Sequence, residues 1–157
     1  FDVSMLFEYF IRKVLIRKGF MLEKKNQELY TIPSGGNYNN GNRKLFPDII
    51  IKNDDGSVDI YDIKYKRYDF NYGVSREDLF QINTYIGQAS NYGRINKCGF
   101  IFPMEENNKD WNKKNINQKL KFAGFEIDFE ILFFKVPDEK TENYSISFYQ
   151  SIETFNN

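Results

Sequence analysis

The chain has 157 residues, a length typical of one domain, and its hydrophobic content of 41% allows a sizeable buried core. It contains one cysteine and no histidine, which excludes disulfide frameworks, imidazole-dependent catalytic triads and zinc sites with histidine ligands. The 22 basic and 22 acidic residues balance, so net charge indicates no polyanionic partner, and no apolar run approaches the ~20 residues needed to span a bilayer.

These properties predict a single domain over residues 1–157. Because the chain does not begin with Met, we expect it to be the C-terminal fragment of a longer protein. No secretory signal is visible, and we expect a cytoplasmic protein without a membrane segment.

The first predicted elements are a helix, a strand and a loop. Apolar residues recur at helical spacing over residues 3–18, with Asp2 as the cap and Gly19 at the end. Residues 20–32 are predicted to form a strand. The Gly- and Asn-rich residues 33–44 are predicted to form a mobile loop within the domain.

A β-hairpin is predicted next. Residues 45–52 are apolar and β-branched, residues 58–66 alternate, and Asn53-Asp54-Asp55-Gly56 between them is typical of a turn. If the loop is Asp54-Asp55-Gly56, Asp48 lies opposite Asp62 on one face of the hairpin. A two-residue loop would instead place the two carboxylates on opposite faces, so we predict an odd-length loop or a compensating bulge.

The remainder is predicted to contain a helix, three strands and a polar loop. Ser75 and Asp78 resemble a capping box at the start of a helix over residues 75–91. Residues 97–103, 125–136 and 144–149 are predicted strands, and residues 105–117 a polar loop. This order predicts an α/β fold with a mixed central β-sheet flanked by helices.

The predicted hairpin is also where the chemistry is expected. Asp62 and Lys64 are two residues apart on a strand and therefore share a face. Two carboxylates a few Å apart repel unless a cation lies between them, and hard oxygen ligands suit Mg²⁺ or Mn²⁺. Asp48 and Asp62 are thus candidate ligands of a metal that activates water, with Lys64 beside them to orient water or neutralise phosphate charge.

Several motifs resemble one nuclease family. Pro47-Asp48, thirteen intervening residues and Asp62-Ile63-Lys64 resemble the PD-(D/E)XK signature. Glu8 resembles the acidic residue that many such nucleases carry on the first helix, and Gln81-Ile82-Asn83-Thr84-Tyr85 resembles their Gln-x-x-x-Tyr element. With Leu-Phe-Pro-Asp-Ile and Asp-Leu-Phe-Gln-Ile-Asn-Thr-Tyr, residues 5–103 resemble the nuclease domain of McrC, the nuclease subunit of McrBC modification-dependent restriction systems.

The resemblance implies a PD-(D/E)XK restriction-endonuclease-like core and a metal-dependent DNA endonuclease that hydrolyses phosphodiester bonds with metal-activated water. It implies Mg²⁺ or Mn²⁺ as cofactor, and DNA and an McrB-like AAA+ GTPase as partners. The residues implied as catalytic are Asp48, Asp62, Lys64, Glu8, Gln81 and Tyr85. The residues implied as metal ligands are Asp48, Asp62, Glu8 and Ile63, the last through its carbonyl oxygen. Gln81 and Tyr85 share a helix face, predicted to lie roughly opposite the apolar stripe that Leu79, Ile82 and Ile86 form on the same helix.

Two basic pairs, Arg43-Lys44 and Lys66-Arg67, flank the predicted site and are candidates for contacts to DNA phosphates. Glu8 and Tyr85 also have purely structural interpretations, respectively pairing with Arg12 along the helix and packing in the core. Two other functions remain open: a RecB-like stand-alone DNA nuclease, and a catalytically silent nuclease-like module for assembly or DNA binding.

Overall fold

The computed structural model describes residues 2–24, 30–37, 41–89, 93–105 and 116–136. These residues form two helices and eight strands. In chain order the elements are α1 (Val3–Arg17), β1 (Met21–Leu22), β2 (Tyr30–Pro33), β3 (Asn42–Leu45), β4 (Ile49–Lys52), β5 (Val58–Ile63), α2 (Arg76–Gln88), β6 (Ile95–Glu105), β7 (Ile116–Phe122) and β8 (Phe125–Val136).

Within the described ranges, six strands form a central sheet in the order β1-β4-β5-β6-β8-β7. The β5–β6 and β6–β8 pairs are parallel, whereas the β1–β4, β4–β5 and β7–β8 pairs are antiparallel. β2 and β3 form a separate antiparallel pair. The predicted α/β class with a mixed sheet is therefore confirmed.

The two helices cover opposite faces of this sheet, since alternate residues of each strand pack into different clusters. One apolar cluster, between α1 and the sheet, includes Ile11 and Leu15. The other, between α2 and the sheet, includes Ile82, Phe100 and the buried thiol of Cys98. Helices flanking a central sheet were expected, and the structure confirms them.

Both helices begin at the predicted capping residues. The Asp2 carboxylate accepts the Ser4 N–H at 2.9 Å, and the helix that follows ends before Gly19, whose φ of 89° suits a residue without a side chain. The Ser75 hydroxyl accepts the Asp78 N–H at 3.2 Å. Neither helix of the described ranges is long and apolar enough to cross a bilayer.

Several predicted strand bounds are wrong. Residues 45–52 are divided between β3 and β4, because Pro47 has no N–H to donate to a strand pairing. The predicted strand over residues 20–32 is likewise divided between β1 and β2, which belong to different sheets. The predicted strand over residues 58–66 ends at Ile63 as part of β5.

Two predicted loops contain strand residues. β3 lies partly within residues 33–44 and pairs with β2, so this stretch is not a loop throughout. β7 begins inside the predicted polar loop of residues 105–117 and was not expected, because most of its side chains are exposed and polar. The predicted strand over residues 144–149 lies outside the described residues.

Candidate active site

The β4–β5 hairpin places Asp48 across from Asp62. Ile49 pairs with Tyr61 and Ile50 with Ile60. One step beyond the first of these pairs, the same register sets Asp48 opposite Asp62. Both carboxylates therefore lie on the face of the sheet that α2 covers.

The loop of this hairpin has the odd length that the placement requires. The Asn53 N–H donates to the Ser57 carbonyl at 2.9 Å, which leaves Asp54-Asp55-Gly56 as the loop. Gly56 has a φ of 79°, in the left-handed region that favours glycine. The predicted three-residue loop is confirmed.

Asp48 is held by both its side chain and its main chain. Its Oδ2 accepts the Ile63 N–H at 2.8 Å. Arg12 of α1 donates from Nη1 to the Asp48 carbonyl at 2.7 Å and from Nη2 to the Glu23 carbonyl at 2.6 Å. Arg12 thus links the first helix to the candidate site, a role that no sequence pattern indicated because both acceptors are main-chain oxygens.

The two carboxyl groups resist simultaneous ionisation. Burial, followed by the neighbouring Asp62, raises the pKa of Asp48 to about 7, and the Glu8 carboxylate adds to the rise. Burial also raises the pKa of Asp62, which is only 3% exposed, although Lys64 opposes the change. A proton or a cation between the two groups would relieve their repulsion.

Three acceptors surround the Lys64 ammonium group. Its Nζ lies 2.6 Å from Asp62 Oδ2, 2.7 Å from Gln81 Oε1 and 3.0 Å from Asp78 Oδ1. Burial alone would lower the pKa of Lys64, but the hydrogen bond and charge of Asp62, with those of Asp78, raise it. Lys64 is therefore a cation at neutral pH, fixed beside one of the two carboxylates.

Gln81 and Tyr85 continue this hydrogen-bonded chain. Gln81 Nε2 donates to the Tyr85 hydroxyl at 2.9 Å, and that hydroxyl donates to the Phe46 carbonyl at 3.5 Å. Burial raises the pKa of Tyr85 to about 12, so the hydroxyl stays neutral. The expectation that Tyr85 lies opposite the apolar stripe is wrong, since its ring is buried in the same cluster as Ile82. The ring packs in the core while the hydroxyl reaches the site.

Glu8 is associated with the site less directly. Its charge contributes to the raised pKa of Asp48, so the two carboxylates are near enough to interact. Across the described ranges, however, no three or more His, Cys, Asp or Glu side chains cluster closely enough to hold a metal ion. The structure thus brings together Asp48 and Asp62. The roles of Glu8 and of the Ile63 carbonyl as metal ligands stay predictions.

The predicted phosphate contacts lie on two exposed segments. Arg43 and Lys44 are exposed on β3, shortly before Asp48 in the chain. Lys66 and Arg67 are exposed just after β5, and Lys66 Nζ lies 2.5 Å from Asp78 Oδ2. Their contact with DNA remains a prediction.

Asp78 is a site residue that sequence reasoning missed. It was expected to cap the helix, whereas its carboxylate pairs with both Lys64 and Lys66. A signal for this role exists, because Asp78, Gln81 and Tyr85 are spaced i, i+3 and i+7 and therefore share one face of α2.

A mixed α/β domain with two facing carboxylates and an adjacent lysine is consistent with the family that the motifs suggested. A family model described as McrBC 5-methylcytosine restriction system component matches residues 1–103. The chain belongs to this family, and the expected relationship is confirmed. None of the curated proteins compared with the chain matches it significantly.

One solved structure supports the fold. It is described as the refined half-complex from a tetradecameric assembly of Thermococcus gammatolerans McrB AAA+ hexamers with bound McrC. The match has a TM-score of 0.62 and 18% sequence identity, and covers 99% of this chain and 33% of that chain. At this identity the likeness shows a shared fold, and our chain spans about one third of the matched chain.

Proposed function

We propose that the chain is a metal-dependent DNA endonuclease domain of the McrC type, with a PD-(D/E)XK core that hydrolyses phosphodiester bonds. The observation that carries the proposal is the placement of Asp48 and Asp62 across one hairpin, with the Lys64 ammonium 2.6 Å from Asp62. Family membership and the spacing of these three residues support the same function.

Asp48 and Asp62 are the residues that would hold Mg²⁺ or Mn²⁺, with the Ile63 carbonyl and Glu8 as further proposed ligands. Carboxylate and carbonyl oxygens are the donors that these hard cations prefer. The fit is also electrostatic, because burial and mutual repulsion make a cation favourable between the two carboxylates. When bound, such an ion supplies Lewis-acid stabilisation of phosphate charge and acidifies water.

The chain's own residues would supply charge and orientation. Lys64 presents a fixed positive charge next to Asp62, suited to stabilising a phosphate oxygen or orienting an attacking water. Gln81 holds the lysine and is itself held by Tyr85. Through the Phe46 carbonyl, Tyr85 joins α2 to the segment that carries Asp48.

The proposed partners follow from the family and from the similar assembly. The matched structure contains McrB AAA+ hexamers with bound McrC. By this similarity we expect our chain to bind an McrB-like GTPase. Together the two proteins would act on DNA in the cytoplasm. Arg43, Lys44, Lys66 and Arg67 are the proposed contacts to the DNA backbone.

Metal binding and cleavage together test this function. By calorimetry, the wild-type chain should bind Mn²⁺ and Mg²⁺, whereas the Asp48→Asn/Asp62→Asn variant should not. Asp54→Asn is the matched control, because it removes an exposed carboxylate from the turn of the same hairpin. Binding that persists in the double variant would contradict the assignment of these ligands.

Cleavage is measured on DNA containing 5-methylcytosine, with an McrB-like partner, GTP and Mg²⁺ present. Asp62→Asn should slow cleavage at least ~100-fold while keeping the circular dichroism spectrum of the wild type. Wild-type rates in this variant would refute the site. Cleavage that needs no GTPase would favour a stand-alone nuclease, and partner binding without cleavage by the wild type would favour an assembly module.

A further inference from the structure

Asp78 lies on the first turn of α2, where its carboxylate is buried between two lysines. Its Oδ1 is 3.0 Å from Lys64 Nζ, and its Oδ2 is 2.5 Å from Lys66 Nζ. Only 8% of the residue is exposed. Burying a carboxylate is unfavourable unless its charge is paired, so these two cations account for its location.

Helix capping alone does not explain this placement. Ser75 already supplies the N-cap by accepting the Asp78 N–H, and its side chain also hydrogen-bonds to the Asp78 carboxylate, but the contacts of that carboxylate with the two lysines lie outside the cap. Glu77 already places a negative charge in the first turn, where it interacts favourably with the helix dipole, and it does so while exposed to solvent. A residue required only for the helix would not need its side chain directed at Lys64.

The geometry around Lys64 indicates what the buried carboxylate does. An ammonium group has three N–H donors, and Lys64 has three acceptors, from Asp62, Asp78 and Gln81. The last two belong to α2, so the helix sets the direction of the flexible lysine side chain. Because the proposed function assigns Asp62 to a metal ion, Asp78 is the charged acceptor that has no other proposed task in the reaction.

We propose that Asp78 is a positioning residue for Lys64, whose buried carboxylate on the first turn of α2 holds the lysine ammonium beside Asp62. This inference rests on the proposed nuclease function, in which Lys64 acts on the phosphate. Asp78 itself acts through the lysine and contacts no substrate. The second contact, to Lys66, keeps the carboxylate oriented between the two cations.

Steady-state cleavage kinetics with the GTPase partner test the proposal. Asp78→Asn should lower kcat about 10- to 100-fold and leave KM for DNA unchanged, as expected when a residue that orients a catalytic group is lost. Asp78→Glu, which keeps the charge, should recover part of kcat. Glu77→Gln is the matched control, since it removes a neighbouring negative charge from the same helical turn, and it should behave like the wild type.

Three kinetic results would overturn the proposal. An unchanged kcat in Asp78→Asn would mean that Lys64 is positioned without the Asp78 carboxylate. An increase in KM alone would mean that Asp78 acts on DNA binding through Lys66. An equal loss in Glu77→Gln would assign the effect to the helix dipole. If Asp78→Asn does not fold, Asp78→Ser, which also lacks the charge and suits a first helical turn, takes its place.

A second readout separates this proposal from the nuclease function. The ¹H–¹⁵N signal of the Lys64 ammonium, identified by its loss in Lys64→Met, should be protected from exchange in the wild type and in Glu77→Gln. It should broaden or disappear in Asp78→Asn. An unchanged signal in Asp78→Asn would overturn the positioning role even if the wild type cleaves DNA. If the wild type does not cleave, the nuclease function fails and this signal still decides the role of Asp78.

Discussion

Asp48 combines firm anchoring with an unfavourable charge. The Ile63 N–H and Arg12 fix its position, while burial and the neighbouring Asp62 make ionisation costly. Sites that bind divalent cations through carboxylates need this combination, because the ligands must be in place before the cation arrives and gain most from its charge.

The stability of the fold should therefore depend on the protonation of Asp48. Its pKa is raised from 3.8 to about 7, so between these values the folded chain keeps a proton that the unfolded chain has released. This contribution of Asp48 to the stability of the folded state is fully present below its pKa in the unfolded chain. It is lost as the pH rises through its pKa in the folded chain. In metal-free buffer, Asp48→Asn should thus gain stability relative to the wild type on going from about pH 5 to about pH 8.

Urea unfolding of both proteins at these two pH values measures the effect. The Asn side chain still offers an oxygen to the Ile63 N–H, so the comparison isolates the charge. A difference in the free energy of unfolding that is the same at both pH values would contradict the raised pKa.

Residues of the site differ in how far the sequence can predict them. Asp62 and Lys64 were predictable because a strand repeats every two residues, which places both on one face. Arg12 was not, since its acceptor at Asp48 lies 36 residues away and is a main-chain oxygen. Asp78 was missed for another reason: its spacing from Ser75 also fits a capping box, and local chemistry does not distinguish the two roles.

At the scale of elements, the register of one hairpin controls the site. The three-residue loop Asp54-Asp55-Gly56 sets the register that places Asp48 across from Asp62. Deleting Lys52, the exposed last residue of β4, should keep this turn, move the pairing of β4 by one residue and send the two carboxylates to opposite faces of the sheet. We expect this deletion to abolish Mn²⁺ binding in calorimetry.

Gly56→Ala is the control for that deletion. An alanine Cβ would meet no atom within 4 Å, so only the left-handed φ of 79° is strained. The variant should lose about 1 kcal/mol of stability and still bind Mn²⁺. Retained binding in the deletion variant would show that the register does not assemble the site.

Secondary-structure elements were predictable where apolar residues alternate regularly along the strand and no proline divides it. β8 has the predicted bounds, because Ile127, Phe129 and Ile131 alternate toward one buried face. The prediction missed β7 because, among the described residues, it is an edge strand paired with β8, and its exposed polar side chains resemble those of a loop. The division at Pro47 was missed because apolar residues continue on both sides of it.

At the scale of the whole molecule, one sheet is shared by two separate cores. Ile11 belongs to the cluster under α1 and Ile86 to the cluster under α2, with the sheet between them. Ile11→Val and Ile86→Val should each lower the free energy of unfolding by about 0.5–1.5 kcal/mol. Their effects should add within ~0.5 kcal/mol in the double variant, because the two residues belong to different clusters on opposite faces of the sheet.

Chemical denaturation followed by circular dichroism and by tyrosine fluorescence tests this expectation. Coincident transitions with additive losses would indicate one cooperative unit built on the sheet. Two separate transitions would instead mean that each helix with its cluster unfolds independently.

The global topology was predictable only as a class. Periodicity indicates which face of a strand is buried, but it does not state which strands are neighbours, so the order β1-β4-β5-β6-β8-β7 did not follow from the pattern. The McrC-like motifs indicated which elements lie together, because they place residues of one hairpin and one helix in the same site.

The buried Cys98 has a practical consequence of its own. It is the only thiol of the chain and lies on β6, in the middle of the sheet. Burial raises its pKa to about 12, so the reactive thiolate is scarce while the strand remains covered. Alkylation of the native chain therefore proceeds only as fast as the sheet opens, and the rate of that one reaction reports how often the core is exposed to water.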